Sequence, residues 1–149
     1  MPVGEICNRE VVIVQAGQSA LEAAQLMRQH HVGDLVVVEE RGGFRVPVGI
    51  VTDRDLVVEI VAPGLDPSAI TVGDIMVSDL ATVTENIGVF EAIQYMRTRG
   101  VRRLPVVDGN GGLVGILAVD DLLELLADEL LLLAKLVKRE QKKEMANRR

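Results

Sequence analysis

The chain has 149 residues and a formal net charge of −6, and 48% of its residues are hydrophobic. This length predicts one compact domain with enough apolar side chains for a buried core. With two Phe, one Tyr and no Trp, the sequence argues against a base-stacking surface for single-stranded nucleic acid.

Cysteine content and charge distribution bear on the cellular location of the protein and on its possible partners. Cys7 is the only cysteine, so an internal disulfide is excluded and a reducing, cytoplasmic location is predicted. The first residues show no secretion signal, and no uncharged apolar run is long enough to span a bilayer. Residues 135–149 hold seven Lys or Arg against two Glu, whereas the remainder is acidic. We therefore expect nucleic-acid contact, if there is any, only at the basic end.

The first half of the chain predicts a β-α-β-β-α order. Ser19 is a suitable N-cap for the first helix. Gly42-Gly43 marks a hairpin loop over 39–45, and Pro63, Gly64 and Pro67 mark a linker. From apolar periodicity we expect a strand over 11–14, a helix over 20–29, strands over 35–38 and 46–51, and a short helix over 53–61.

The second half repeats this order. Gly100 is the expected C-cap of its first helix, and the turn at 108–112 is a clear hairpin pattern. The final helix is expected to run from Val119 to about Met145, which is about 40 Å at 1.5 Å per residue. The other expected elements are a strand over 82–84, a helix over 88–99, and strands over 104–107 and 113–117.

The two halves are an internal repeat. Residues 6–38 align with 75–107 without a gap, and after the first hairpin, which is the longer one, Gly49 aligns with Gly115. Such a repeat predicts one duplicated supersecondary unit whose copies bury their apolar faces against each other. We place the first repeat at 1–67, the second at 68–127 and a helical extension at 128–149.

One strand–helix junction carries the residues for a nucleotide site. Val48–Val51 is followed by Thr52, a good N-cap, with Asp53 and Asp55 in the first turn of the helix. A helix N-terminus offers free N–H groups and a positive dipole end. Asp55 could accept two hydrogen bonds from a ribose diol, and Thr52 could contact a phosphate. Thr52 is also suited to capping the helix alone, and Asp55 to compensating the helix dipole in its first turn.

Two motifs connect the chain to a known family. Gly49–Asp55 follows a Gly-apolar-x-Thr/Ser-x-x-Asp pattern, and in Val101–Asp108 a basic pair precedes Leu-Pro-Val. Together with the duplication they resemble a tandem cystathionine-β-synthase (CBS) domain pair, or Bateman module, over residues 4 to about 127. The resemblance implies an α/β (α+β) fold of two pseudo-symmetric β-α-β-β-α repeats packed sheet to sheet, with an extended C-terminal helix.

The resemblance also implies a function. Such pairs are non-catalytic regulatory modules that bind an adenosine-containing ligand (AMP, ADP, ATP, NADH or S-adenosylmethionine) between the repeats, and AMP or ATP is the ligand expected here. In the first cleft, Asp55 would hold the ribose, and Thr52, Arg102 and Arg103 would contact the phosphates. The groups flanking the adenine would lie around Val12, Ile13 and Ile50.

The second cleft departs from the family pattern. Ala118 replaces the hydroxyl residue, although Asp121 is retained as the candidate ribose ligand. The positions matching the two arginines hold Gly33 and Asp34, and a carboxylate near a phosphate opposes binding. We expect this cleft to be empty or to take an uncharged adenosine moiety.

The final helix predicts a protein interface. From Leu122 to Val137 it is apolar around more than one face, which is wider than a helix buried on one side requires. We expect an isologous homodimer through paired C-terminal helices, in an orientation left open. The basic end beyond Lys135 either contacts an acidic partner, RNA or a membrane surface, or is a solvated helix end. An alternative function is an interaction protein that acts through this helix and has vestigial clefts.

Catalysis and metal binding are not expected. The sequence offers no convincing nucleophile–base pair. His30 and His31 are adjacent at a helix end and point apart, and no Cys, His or carboxylate cluster has ligand spacing. Met27 and Met96 occupy matching helix positions and are expected in the core.

Overall fold

A computed structural model describes residues 1–148, so Arg149, the last residue of the predicted extension, lies outside the described residues. The chain forms two compact units, Met1–Leu117 and the segment from Ala118 onward. The elements of the first unit are a 3₁₀ turn (Val3–Glu5), β1 (Ile13–Val14), α1 (Ala20–His30), β2 (Asp34–Arg41), β3 (Phe44–Thr52), α2 (Asp53–Leu56, continued by a π turn over Val57–Val61), α3 (Val72–Ile75), β4 (Val83–Thr84), α4 (Val89–Arg99), β5 (Arg103–Val107) and β6 (Leu113–Ala118). The second unit is α5 (Val119–Asn147).

The predicted order of strands and helices is confirmed, with α3 as an additional short helix that was not predicted. The first hairpin is a further local difference. Where a loop over 39–45 was expected, β2 and β3 stay paired as far as Arg41 and Phe44. Only Gly42 and Gly43 turn the chain, with φ of 57° and 83°. Two successive positive φ values suit the tight turn that matches strand twist, and glycine adopts them without steric cost.

The main helices of the two repeats end in equivalent ways but begin differently, since Gly88 at the start of α4 has no side chain to cap it. The Ser19 hydroxyl accepts a hydrogen bond from the Glu22 N–H at the start of α1. That helix ends at His31 with a left-handed φ of 53°, and α4 ends at Gly100 with a φ of 65°. These two residues occupy the same position of the repeat, so the same C-terminal geometry is built once with glycine and once with histidine.

The strands form two three-stranded sheets, β1-β2-β3 and β4-β5-β6. In the first, β1 is parallel to β2 and β3 is antiparallel to it. Leu35 and Val37 of β2 pack in a core cluster with Ala23 and Met27 of α1. Val36 points to the opposite face and is also fully buried. Burial on both faces explains the uniformly apolar strand, because helices cover one side and the sheet of the other repeat covers the second.

The repeats exchange their lead-in segments. Asn8, which precedes the first strand of the first repeat, forms an antiparallel bridge with Ile116 of β6, and Val77, which precedes the first strand of the second repeat, forms one with Ile50 of β3. The backbone hydrogen bonds are equally reciprocal. Val3 N–H donates to the Ile87 carbonyl and Val72 N–H donates to the Gln18 carbonyl, each at 2.8 Å. The two halves are therefore interlocked by main-chain pairing as well as by apolar contact.

The lead-in exchange explains the glycine of the strand–helix motif. A Cβ at Gly49 would lie 2.6 Å from Met76 Sδ and 2.9 Å from the Val77 carbonyl oxygen, and a Cβ at Gly115 would lie 2.6 Å from Cys7 Sγ. A side chain at either position would collide with the segment of the other repeat that pairs there. The glycine is required by close approach of two backbones, and not by an unusual φ.

The second unit is a single helix of 29 residues. Most of its leucines are exposed, among them Leu123, Leu130 and Leu133. Within residues 1–148, no helix combines the length and the apolar character that a membrane crossing needs. The expected long terminal helix is confirmed, and it ends two residues beyond the predicted Met145.

Candidate functional site

The predicted ribose and phosphate ligands hold each other in a capping box. The Thr52 hydroxyl accepts a hydrogen bond from Asp55 N–H at 3.2 Å, and Asp55 Oδ2 accepts one from Thr52 N–H at 2.8 Å. The capping role open to Thr52 is therefore confirmed, and Asp55 takes part in it as the reciprocal partner. The capping bond uses Oδ2 and does not require Oδ1. The carboxylate is therefore held in place, and Oδ1 can still accept hydrogen bonds.

Strand register places three candidate residues, together with Asp34, on one face of the first sheet. Ile13 pairs with Val36, Val36 pairs with Ile50, and Asp34 pairs with Thr52. Paired residues and alternate residues along a strand share a face. Ile13 and Ile50 therefore lie beside Asp34 and Thr52, on the side away from α1. Apolar and polar groups adjoin there, as a site for a nucleoside phosphate requires.

Arg103 connects the second repeat to this face. Its Nε lies 3.4 Å from Asp34 Oδ1, and the two side chains are 36% and 17% exposed. Asp34 sits directly across from Thr52, so the guanidinium group reaches the strand end that carries the first motif. The neighbouring Arg102 is exposed. The structure thus brings Arg103 toward Thr52. The ion pair with Asp34 that holds Arg103 there was not predicted from the sequence.

The position of the acidic group differs from the expectation. Sequence alignment assigned Gly33 and Asp34 to the second cleft. In the structure Asp34 faces Thr52, and the Gly33 carbonyl accepts a hydrogen bond from Asp53 N–H at 2.9 Å. These residues adjoin the first motif because β2 and β3 of one repeat are hydrogen-bonded neighbours. Alignment identifies matching positions, but it does not identify which positions are in contact.

Burial raises the pKa of the Asp34 carboxyl above its ordinary value of 3.8; Arg103 opposes this rise and Asp53 adds to it. A raised pKa in the folded state means that the folded chain binds this proton more tightly than the unfolded chain does. The contribution of Asp34 to stability is therefore most favourable below pH 3.8. It is lost as the pH rises through the pKa of the folded state.

Removal of the guanidinium group tests this electrostatic arrangement. We expect Arg103→Ala to raise the pKa of Asp34 further, because the positive charge that lowers it is gone while burial and Asp53 remain. The measurement is an NMR titration of the side-chain carboxyl carbons. An unchanged or lower pKa of Asp34 in the variant would show that the ion pair is not maintained in solution.

A cavity of about 520 Å³ lies beside two of the three predicted adenine-flanking residues. Val12 and Ile13 line it, whereas Ile50 does not. Sequence reasoning missed most of its lining because those residues come from the lead-in and from the end of α1. The other lining residues are Asn8, Glu10, Val11, Leu26, His30 and Val32.

Asp121 lies in the first turn of α5. Its Oδ2 accepts a hydrogen bond from Ala118 N–H at 3.2 Å. Since alanine has no side-chain oxygen, the reciprocal bond that Thr52 makes in the first repeat has no counterpart here. Among the described residues, no group of three or more His, Cys, Asp or Glu is placed to hold a metal ion.

Comparisons with known proteins agree with this architecture. The family model described as CBS domain matches residues 3–62 and 72–128. An uncharacterized protein of Methanopyrus kandleri is 41% identical over 82% of this chain, which spans 61% of that relative's length. The CBS domain-containing protein YhcV of Bacillus subtilis is 38% identical over 80% of this chain and 81% of its own.

A solved structure supports the same assignment. The CBS domain pair of protein MJ0100, in complex with 5′-methylthioadenosine and S-adenosyl-L-methionine, superimposes with a TM-score of 0.74 and 26% identity, over 87% of this chain and 98% of that one. Two family matches coincide with the two repeats, and each repeat forms one of the two sheets. The chain therefore belongs to the CBS domain family, as a tandem CBS pair.

Proposed function

We propose that this CBS pair is a non-catalytic sensor that binds an adenosine-containing ligand at the face carrying Asp34 and Thr52. The observation that carries the proposal is the approach of Arg103, from the second repeat, to the strand end that presents the motif of the first. In this arrangement Asp55 accepts hydrogen bonds from the ribose. Ile13 and Ile50 supply an apolar surface for the base.

The charges near this face bear on the choice of ligand. The positive charge of Arg103 would attract a phosphate. The carboxylate of Asp34, which is already paired with the Arg103 guanidinium, would repel a phosphate. AMP and ATP, the ligands expected from the sequence, therefore have to displace or share this ion pair. The relative MJ0100 was solved with 5′-methylthioadenosine and S-adenosyl-L-methionine, which are adenosine compounds without a phosphate.

Strand β3 offers a route from the ligand to the packing of the repeats. Thr52 lies at its end, and Ile50 forms a bridge to Val77, in the segment that precedes the first strand of the second repeat. A ligand held at Thr52 and Ile50 would favour one arrangement of this pairing. The equilibrium would shift only by the difference in ligand affinity between the two arrangements.

Calorimetric titration tests the proposal. We expect heat of binding with at least one of AMP, ADP, ATP, NADH, S-adenosylmethionine and 5′-methylthioadenosine. If phosphates are contacted by Arg103, Arg103→Ala will weaken AMP binding about tenfold, since one charge-assisted hydrogen bond is lost. Binding of 5′-methylthioadenosine, which lacks the phosphate, serves as the matched control and should be unchanged. Absence of heat with every compound, in protein shown to be folded by circular dichroism, rejects ligand sensing.

The exposed leucines of α5 favour a second candidate, an interaction protein that acts through this helix. Deletion of residues 128–149 separates the two functions. A sensor whose ligand site lies in the first unit keeps its ligand affinity after the deletion. Loss of partner binding with no ligand affinity in either form would favour the interaction protein.

A further inference from the structure

A continuous apolar row runs along α5. Its members follow each other at alternating spacings of three and four residues, and each is between 40% and 70% exposed: Leu123, Leu126, Leu130, Leu133 and Val137. This spacing is the seam of a two-stranded coiled coil, in which such residues interdigitate with those of a second helix. A row of five exposed apolar side chains on a helix predicts a partner helix.

Charge divides the same helix into two halves. The first half carries only acidic charge, at Asp120, Asp121, Glu124, Asp128 and Glu129. The second half, residues 135–148, carries six Lys or Arg and two Glu. Two copies side by side in the same direction would place acid beside acid and base beside base. Two copies in opposite directions would place each acidic half beside a basic one.

We propose that α5 pairs with the α5 of a second copy of this chain in an antiparallel coiled coil. With Leu126 level with Val137 of the second copy, Leu130 is level with Leu133, so these four members of the apolar row meet one another. Leu123 is level with Glu140 and lies beyond the paired apolar stretch. The same register places opposite charges at the same height along the pair: Asp128 with Lys135, Glu124 with Arg139, Asp121 with Lys142 and Asp120 with Lys143. These residues lie away from the apolar row, so the attraction acts between the acidic and the basic halves as a whole and not through individual ion pairs. The paired apolar stretch from Leu126 to Val137 is about 18 Å long.

A second copy fits this helix better than an unrelated partner, because two copies of the helix are complementary to each other when they run in opposite directions. A twofold axis passes through the centre of the pair, between Leu130 and Leu133. About this axis the same sequence supplies both apolar surfaces and places the acidic half of each helix beside the basic half of the other. A different protein would need an independent match to both. The pairing does not depend on the ligand proposal, since it uses only residues of the second unit.

Sedimentation of the full chain tests the pairing. Leu130→Glu places a carboxylate in the seam twice per dimer, and we expect it to raise the dimer dissociation constant about 100-fold. Leu131→Glu is the matched control. Leu131 is also exposed, at 55%, but points about 100° away around the helix, so this variant should remain a dimer. A monomeric unmodified chain, or equal loss of dimer in both variants, overturns the proposal.

Disulfide trapping tests the direction. In a Cys7→Ser background, which removes the only native cysteine, separately tagged Leu126→Cys and Val137→Cys chains are mixed and oxidised. Antiparallel pairing predicts a mixed disulfide between the two variants and little product from either variant alone. Parallel pairing would cross-link each variant with itself, and that result would refute the proposed direction. Asp128→Cys, on the polar side of the helix, is the control that should not cross-link.

Discussion

Asp55→Ala is expected to weaken binding of the adenosine ligand about 100-fold, because two hydrogen bonds from a ribose diol to a charged acceptor are lost. Calorimetric titration with whichever compound binds the unmodified chain gives the ratio of dissociation constants. Asp55 Oδ2 already accepts a hydrogen bond from Thr52 N–H at 2.8 Å. The expected result therefore requires that the Asp55 carboxylate also accept hydrogen bonds from the ligand.

The chain provides a control for the capping role of Asp55. Asp74 forms the same reciprocal pair with Thr71 at the start of α3, and it belongs to no part of the proposed site. Asp55→Ala and Asp74→Ala should each lower the free energy of unfolding by about 1 kcal/mol. Only the first should reduce ligand affinity, so a shared loss of affinity would mean that Asp55 serves the fold alone.

Asp121 provides the comparison between the repeats. Asp121→Ala is expected to change the affinity little, because Ala118 lacks the hydroxyl that Thr52 supplies in the first motif. If Asp121→Ala removes binding and Asp55→Ala does not, the ligand site has been assigned to the wrong repeat.

Gly49→Ala is expected to be strongly destabilising, because the new Cβ would lie 2.9 Å from the Val77 carbonyl oxygen and 2.6 Å from Met76 Sδ. The thioether can move aside, but the carbonyl belongs to the backbone that pairs with Ile50. Overpacking of this kind costs about 2–3 kcal/mol, which corresponds to a fall in Tm of about 5–10 °C for a chain of this size. Thermal unfolding followed by circular dichroism measures the shift.

Two further variants identify the cause of that destabilisation. Gly17 has open space around it, with no atom within 4 Å of an added Cβ, so Gly17→Ala should be neutral or stabilising by up to about 1 kcal/mol. Adding Met76→Ala to Gly49→Ala removes the thioether but leaves the carbonyl. Full recovery of Tm in this double variant would mean that the close backbone approach is not the limiting contact.

The structure changes how the motif residues are interpreted. Taken alone, Gly49, Thr52 and Asp55 form a ligand motif, yet all three have roles in the fold. Gly49 admits the lead-in of the other repeat, and Thr52 and Asp55 start a helix. The proposed site is therefore built on residues that the fold already holds rigid, which limits the entropy lost when a ligand binds.

The sequence alone determined the repeat, the order of its elements, the caps at Ser19 and Gly100, and the long final helix. These features depend on local pattern, since apolar periodicity and capping residues act within a few positions of each other. The first hairpin was placed less well, because the pairing that extends β2 to Arg41 needs the neighbouring strand.

Only the tertiary structure decided which repeat touches which residue. Alignment of the two repeats shows that Asp34 and Arg103 occupy matching positions. It does not show that the two residues form an ion pair beside Thr52. Nor does it show that each lead-in crosses to the opposite repeat, as the bridges Asn8–Ile116 and Ile50–Val77 do. Contacts between the halves of a duplicated chain depend on how the copies pack, and that packing is a property of the whole apolar surface and of no short segment.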